Sequence, residues 1–322
     1  MATPPVTDHK TNSGALFGRT SRNSERVIVP INDGALSVAA HGPAFYCVHS
    51  ASGMAGTDFL ALASRFEPAI RFYGVQAPAS QMLDAKFASS LDAIAEYYTE
   101  ALVKFQPTGP FVLGGYCLGA IIALAVAQKL RERGREVGPL LAIDGAPENT
   151  GAALPHWSPR YWLELGRNLR RWLVHGDLVR SRTLKSLAGG VRKSLRKKAY
   201  AIGRAALGLK RGETWSRGYS IDGIMDLSPY QPAHRAFINR LYGAVLTYVP
   251  REYSGAVVVY EAQVTPLLSA PQIGHAWRKF APQSAVVRVL GTHIGMMHEP
   301  YVEALAQDMR SRIAGFFSAR SG

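Results

Sequence analysis

Apolar and polar positions along this chain alternate with two different periods, and the switches between them predict its elements. Short apolar runs that read as strands occur at Val27–Pro30, Ala44–His49, Arg71–Gln76, Phe111–Gly114, Leu140–Ile143, Gly255–Tyr260 and Ala285–Leu290. Other stretches place an apolar residue every three or four positions, which puts them on one face of a helix. The clearest runs from Phe87 to Phe105, with Leu91, Ile94, Ala95, Tyr98, Leu102 and Phe105 on one side. Further helices are predicted near Thr57–Arg65, from residue 120 to about Gly134, and from Tyr301 to about Phe317. Strands alternating with helices imply an α/β fold, with a mostly parallel central sheet covered by helices on both faces.

The alternation breaks between Pro147 and Arg235. There Trp157, Tyr161, Trp162 and Trp172 share helical spacing with basic residues, and Gly189-Gly190 predicts a turn. The expected organisation is a polar, disordered tail over residues 1–26, a core over 27–149 and 248–317, and a helical basic lid inserted over 150–247. With 322 residues, 47% of them hydrophobic, the chain has ample material for that core. No stretch approaches the roughly 20 apolar residues of a membrane span, and the N-terminus lacks the apolar centre of a signal peptide, so the expected location is the cytoplasm.

Charge changes the picture locally. Of the net +14, residues His156–Arg217 carry sixteen Lys or Arg against three Asp or Glu, a net +13, and the remainder is near neutral. A basic insertion on a neutral body points to an acidic partner or an anionic surface meeting that segment. The helix expected around Val191–Arg204 reads equally as a solvated cationic face or as a docking or peripheral membrane surface. No recognised motif supports nucleic-acid binding. The two cysteines, Cys47 and Cys117, cannot build a disulfide framework or a four-cysteine zinc site, and no metal or bound cofactor is expected. Cys47 lies in the apolar run Phe45–Val48 and reads as core.

Cys117 is different. Gly115-Tyr116-Cys117-Leu118-Gly119 follows the strand Phe111-Val112-Leu113 and precedes an unbroken apolar helical run, so it forms a strand, a sharp turn and a helix. That is a nucleophile elbow with cysteine where serine is usual. The turn is too tight for a Cβ on either side, hence the glycines. At the helix N-terminus, unpaired N–H groups and the helix dipole favour a thiolate and a developing oxyanion. In an α/β-hydrolase the nucleophile is followed in chain order by an acid and then a histidine, each at the C-terminal end of a later strand. Asp144 ends the strand Leu140–Ile143, where it could serve as the acid or cap the next turn. His293 follows the strand Val286–Leu290 in the loop Gly291–Gly295 and is expected to be the base. His298 is its rival, and His275 is expected at the surface. The oxyanion hole is expected from the backbone N–H groups of Leu118 and of Ala51 in the loop His49–Gly53. His49 is expected to order that loop.

Several of these segments in order resemble the thioesterase domains of nonribosomal peptide and polyketide synthetases. The resemblance is carried by Phe45–His49 with Gly53, Tyr73–Pro78, Gln106–Phe111, the elbow, Ile143-Asp144, Tyr248–Pro250 and Gly291–His293. It implies an α/β-hydrolase fold, makes Asp144 the acid, and implies an acyl or peptidyl chain delivered as a thioester on a phosphopantetheine arm. The partner it implies is an acyl or peptidyl carrier protein met in trans, since no carrier domain accompanies this chain. An acyl-Cys intermediate keeps the activation of the incoming thioester, so hydrolysis, lactone or amide formation, and transfer to another acceptor all stay open. The competing readings are a general carboxylester hydrolase of the same fold, and a non-catalytic carrier- or membrane-binding scaffold that uses the basic lid.

Carrier proteins are generally acidic, so the lid is expected to steer them electrostatically. Neutralising Arg192, Lys193, Arg196, Lys197 and Lys198 is expected to slow turnover of carrier-bound thioesters in a salt-dependent way and to leave small thioesters unaffected. Equal loss on both classes in steady-state kinetics would remove the docking role.

Overall fold

A computed structural model of the protein describes residues 24–36, 42–146, 227–265 and 273–321, together with positions 159, 162, 163, 166–168 and 170. Within them, strands β1 (Ile28–Pro30), β2 (Ala44–Val48), β3 (Arg71–Val75), β4 (Phe111–Tyr116), β5 (Val137–Ile143), β6 (Val257–Val264) and β7 (Ala285–Thr292) form one sheet. Their order is β1-β3-β2-β4-β5-β6-β7, with β1 antiparallel to β3 and every other neighbouring pair parallel. The longer helices are α1 (Leu91–Phe105), α2 (Leu118–Glu132), α3 (Pro232–Thr247), α4 (Ile273–Phe280) and α5 (Val302–Ser321). None of the described helices is long and apolar enough to cross a membrane.

The two faces of the sheet bury separate apolar clusters. One gathers residues of α1, α2, α3 and α4 around Tyr46, Leu113 and Leu140. The other packs the helical turns of 55–66 and α5 against Phe45, Phe72 and Leu141. β2 and β4 are buried along their whole length, which is why they read as continuous apolar runs and not as alternating ones. α2 is buried almost all round, from Leu118 through Gln128, as its unbroken apolar sequence requires.

The expected elements are present with shifted ends. α1 begins at Leu91 and not at Phe87, because Ser90 takes the N-cap and accepts a hydrogen bond from the Ala93 N–H at 3.1 Å. Phe105 belongs to the predicted apolar face yet is 48% exposed. As the last residue of α1 it reaches past the buried stripe and meets Tyr73 edge-on at 5.2 Å. The helix expected near Thr57–Arg65 is broken into Ala55–Asp58, Leu60–Ala63 and a tight turn at Ser64–Phe66. α3 closes the range expected as a lid, and its Phe237, Ile238 and Leu241 are fully buried in the same cluster as α1 and α2. Most of that range, like the N-terminal tail, lies outside the described residues.

Parallel strands bring their C-terminal ends to one edge of the sheet, where open α/β folds bind ligands. The loops after β2, β4, β5 and β7 therefore converge. β2 and β4 run in register, Val48 opposite Gly115. A Cβ on Gly119 would overlap the backbone carbonyls of Val48 and His49. Gly119→Ala is therefore expected to lower stability by about 1–3 kcal/mol through overpacking, as measured by urea unfolding; an unchanged midpoint would mean that the elbow can move away from β2.

Candidate active site

Cys117 lies between β4 and α2 with φ 58° and ψ −120°, a region that residues with a Cβ seldom occupy. Such a conformation costs on the order of 1–3 kcal/mol and persists only where its surroundings hold it. Here the Cys117 N–H donates to the Ile143 carbonyl at 2.9 Å. A Cβ on Gly115 would run into the Gly119 backbone, and one on Gly145 into the Cys117 carbonyl. The turn is thus confined by backbone on both sides. Its side chain is half-buried, whereas Cys47 is fully buried in the core and its thiol is pushed well up by burial.

Asp144 follows β5 at φ 46°. Its N–H donates to the Tyr260 carbonyl at 2.8 Å, and its Oδ1 accepts the Ala262 N–H at 2.8 Å. Oδ2 is left for Nδ1 of His293, 2.7 Å away. The carboxylate therefore reaches across to β6 and His293, and does not cap the turn that follows it. With Nδ1 donating to Asp144, Nε2 is the nitrogen available to Cys117. Tyr116 adds a third restraint. Its ring stacks on the imidazole, with centroids 4.8 Å apart, and its hydroxyl donates to the His293 carbonyl at 2.9 Å. Burial, together with the negative charges of Cys117, Asp144 and Asp58, raises the Tyr116 pKa, so the phenol stays a donor.

Burial lowers the pKa of His293, but the charge of Cys117 and hydrogen bonds to Asp144 and Cys117 outweigh it and push the value up to about 10. Both opposite charges favour the imidazolium. With 40% of the His293 side chain open to water, it is also accessible to a substrate.

The loop after β2 completes the site. His49 is fully buried, and burial brings its pKa down to about 4. Its Nδ1–H donates to the Ser50 carbonyl at 2.5 Å, so Nε2 accepts the Tyr98 hydroxyl at 2.7 Å. Both nitrogens are committed, and the ring orders the loop as expected from sequence. Neither Ala51 nor Leu118 has its backbone N–H bonded to any acceptor among the described residues. His298 and His275 are exposed, and His298 does not take part in the Asp144 pair. Arg192, Lys193, Arg196, Lys197 and Lys198 lie outside the described residues. Among the described residues no group of three or more His, Cys, Asp or Glu side chains is placed to hold a metal ion.

Several supporting residues escaped the sequence reading. Trp277 in α4 donates its indole N–H to the Gly145 carbonyl at 2.6 Å and anchors the loop that carries Asp144. His234 in α3 donates from Nε2 to the Ser52 carbonyl at 2.6 Å. Asp58 accepts hydrogen bonds from the Ser50 N–H and the Ser52 hydroxyl. The one local signal for Asp58 was a lone acid within the apolar stretch 55–66.

Part of the sequence, and the fold, are similar to those of known proteins. Residues 43–158 match the family model described as thioesterase domain. Enterobactin synthase component F of Escherichia coli (strain K12) is 34% identical over 131 residues, covering 41% of this chain and 10% of that protein. Chondramide synthase cmdD of Chondromyces crocatus is 24% identical over 309 residues, covering 93% of this chain and 7% of that protein. The chain thus spans a tenth or less of these curated relatives. Among solved structures, the NocB thioesterase domain in covalent complex with a fluorophosphonate nocardicin G analog superposes with a TM-score of 0.55 at 20% identity. That likeness of fold covers 89% of this chain and 99% of the other.

The raised His293 pKa has a definite sign. Stability drawn from this proton is complete below about pH 6.5 and is lost as the pH rises through about 10. In an NMR titration the His293 ring is expected to keep its proton through neutral pH. Cys117→Ala removes the thiol's contribution and should bring the midpoint down toward the ordinary histidine range; an unchanged midpoint would uncouple the two side chains.

Proposed function

We propose, from the match of residues 43–158 to the thioesterase-domain family model, that this chain releases or transfers an acyl or peptidyl chain from a carrier-protein phosphopantetheine thioester through an acyl-Cys117 intermediate. The observation that carries the proposal is a thiol on an elbow at φ 58° whose charge and hydrogen bond raise the pKa of His293, a histidine itself held by a carboxylate at 2.7 Å. In this reading the three side chains take the roles of nucleophile, base and orienting acid.

In the first half-reaction the Cys117 thiolate attacks the thioester carbonyl carbon. The carbonyl oxygen takes up the negative charge and is held by the Ala51 and Leu118 N–H groups. Collapse of the adduct breaks the bond to the phosphopantetheine sulfur, and His293 gives that sulfur its proton. The sum is one thioester exchanged for another, nearly level in energy, with the imidazole now neutral. In the second half, neutral His293 removes a proton from the acceptor as it attacks the acyl carbon, and the Cys117 thiolate leaves. Asp144 holds the imidazole tautomer and steadies the imidazolium in both halves.

The cysteine bears on product fate. An acyl-Cys keeps the activation that an oxoester would lose, so an amine or hydroxyl can compete with water. Lactone and amide formation therefore stand beside hydrolysis. The carrier protein is proposed to arrive in trans and to meet the basic segment around Arg192–Lys198. The loops after β2, β4, β5 and β7 frame the site at one edge of the sheet.

Intact-protein mass spectrometry after incubation with a panel of acyl-phosphopantetheine thioesters tests the nucleophile. Wild type is expected to gain the acyl mass and Cys117→Ala is not; the released product identifies water, an amine or a hydroxyl as acceptor. An adduct that persists on Cys117→Ala would overturn the acyl-Cys117 mechanism.

A further inference from the structure

The loop after β2 has its backbone donors committed one by one, with a single exception. The His49 N–H goes to the Val75 carbonyl at 3.0 Å, and Ser50 N–H to Asp58 Oδ2 at 2.9 Å. Ser52 N–H goes to the Ser50 hydroxyl at 3.3 Å, Gly53 N–H to the Ser50 carbonyl at 3.2 Å, and Met54 N–H to the Ser52 hydroxyl at 3.0 Å. Ala55 N–H goes to the Gln76 side-chain oxygen at 3.3 Å. Only Ala51 keeps its N–H without an acceptor among the described residues. In a buried loop, a donor left over in an otherwise complete set calls for a reason.

The ties on either side of Ala51 converge on one carboxylate. Asp58 takes the Ser50 N–H before it and the Ser52 hydroxyl after it, the latter at 3.2 Å to Oδ2 and 3.4 Å to Oδ1. From the opposite direction, His234 holds the Ser52 carbonyl at 2.6 Å. A carboxylate so enclosed is costly without partners. Burial raises its pKa against the hydrogen bonds from Ser50 and Ser52. The loop also starts against α2, where the missing Cβ of Gly119 faces the carbonyls of Val48 and His49. Whatever fixes residues 50–52 therefore fixes the distance between the two free N–H groups.

We propose that Asp58 is a positioning residue for acyl transfer: by tying Ser50 and Ser52 together on either side of Ala51, it holds the Ala51 N–H in register with that of Leu118, with His234 as the brace from α3. The inference rests on the acyl-Cys117 reading. Asp58 itself touches no reacting atom. It acts only on the oxyanion, so its loss spares steps in which no oxyanion forms.

That difference gives the test. For the full chain and its variants, two rates are measured at Cys117: acylation by the most reactive acyl-phosphopantetheine thioester of the panel, and alkylation by iodoacetamide, a displacement at a saturated carbon that needs no oxyanion hole. Asp58→Ala is expected to slow acylation by about ten- to a hundredfold, less than the roughly hundred- to thousandfold cost of deleting an oxyanion donor outright because the Ala51 N–H is misplaced and not removed, with the effect in kcat and little change in KM. Alkylation should continue at the wild-type rate. Asp58→Asn keeps an oxygen for the Ser50 N–H and should recover most of the loss. Wild-type acylation in Asp58→Ala, or a parallel fall of acylation and alkylation, overturns the proposal. Should Asp58→Ala not fold, Ser52→Ala removes one tie and is read the same way: selective loss of acylation supports the brace, and no loss or equal loss overturns it. Acylation that persists in Cys117→Ala, or that is absent from wild type, instead overturns the parent reading and this inference with it.

Discussion

The site depends on close approach between backbones. Cys117 stands at φ 58° because β4 must turn into α2 within one residue. That turn fits only where Gly115, Gly119 and Gly145 leave room for the neighbouring main chain. Two segments distant from each other in sequence, the end of β2 with its loop and the loop after β5, each press on the elbow main chain to main chain. A strained residue is held in place by its neighbours' lack of Cβ atoms, and its half-buried thiol is set at the top of the turn as a result.

Around that contact, the polar groups are placed by hydrogen bonds to the main chain more than by contacts with one another. Asp144 is oriented by Ala262 and Tyr260 of β6 before it meets His293. The loop behind it is pinned by Trp277, and His293 is held by a ring and a hydroxyl from Tyr116. The sheet's parallel register supplies the coarse alignment, since the loops after β2, β4, β5 and β7 leave at the same edge. The charges then do what the geometry allows: a thiol and a carboxylate on either side of one imidazole keep it protonated against the effect of burial. This arrangement suits the proposed acyl transfer, whose first step needs a proton donor at the leaving sulfur and whose second needs a base.

Two histidines on separate loops show how surroundings decide chemistry. His49 and His293 both follow a strand end. His49 is enclosed, its nitrogens are taken by Ser50 and Tyr98, and burial leaves it neutral. His293 faces an acid and a thiol and remains partly open to water. One ring orders a loop and the other is free to move a proton, although their sequence positions are alike.

The α/β class, the strand set and the elbow were legible in the sequence, because each depends on local rules: period, glycine spacing and the switch from strand to helix. Cys117 and His293 were legible for the same reason, each being attached to a motif a few residues long. Asp144 remained between two roles until the resemblance to a family assigned one. The fold then aimed its carboxylate at a histidine 149 residues away. Tyr116, Trp277, Asp58 and His234 stayed hidden, since each acts on a backbone group or ring that only the fold brings near, as Tyr116 does across 177 residues. The exposure of Phe105 was likewise settled by packing, which the periodicity of one segment does not contain. Local sequence thus determined which candidate side chains were present and on which turns. The tertiary structure decided how those groups face each other, because direction and distance between remote side chains are properties of the sheet's register and of the close contacts that hold it.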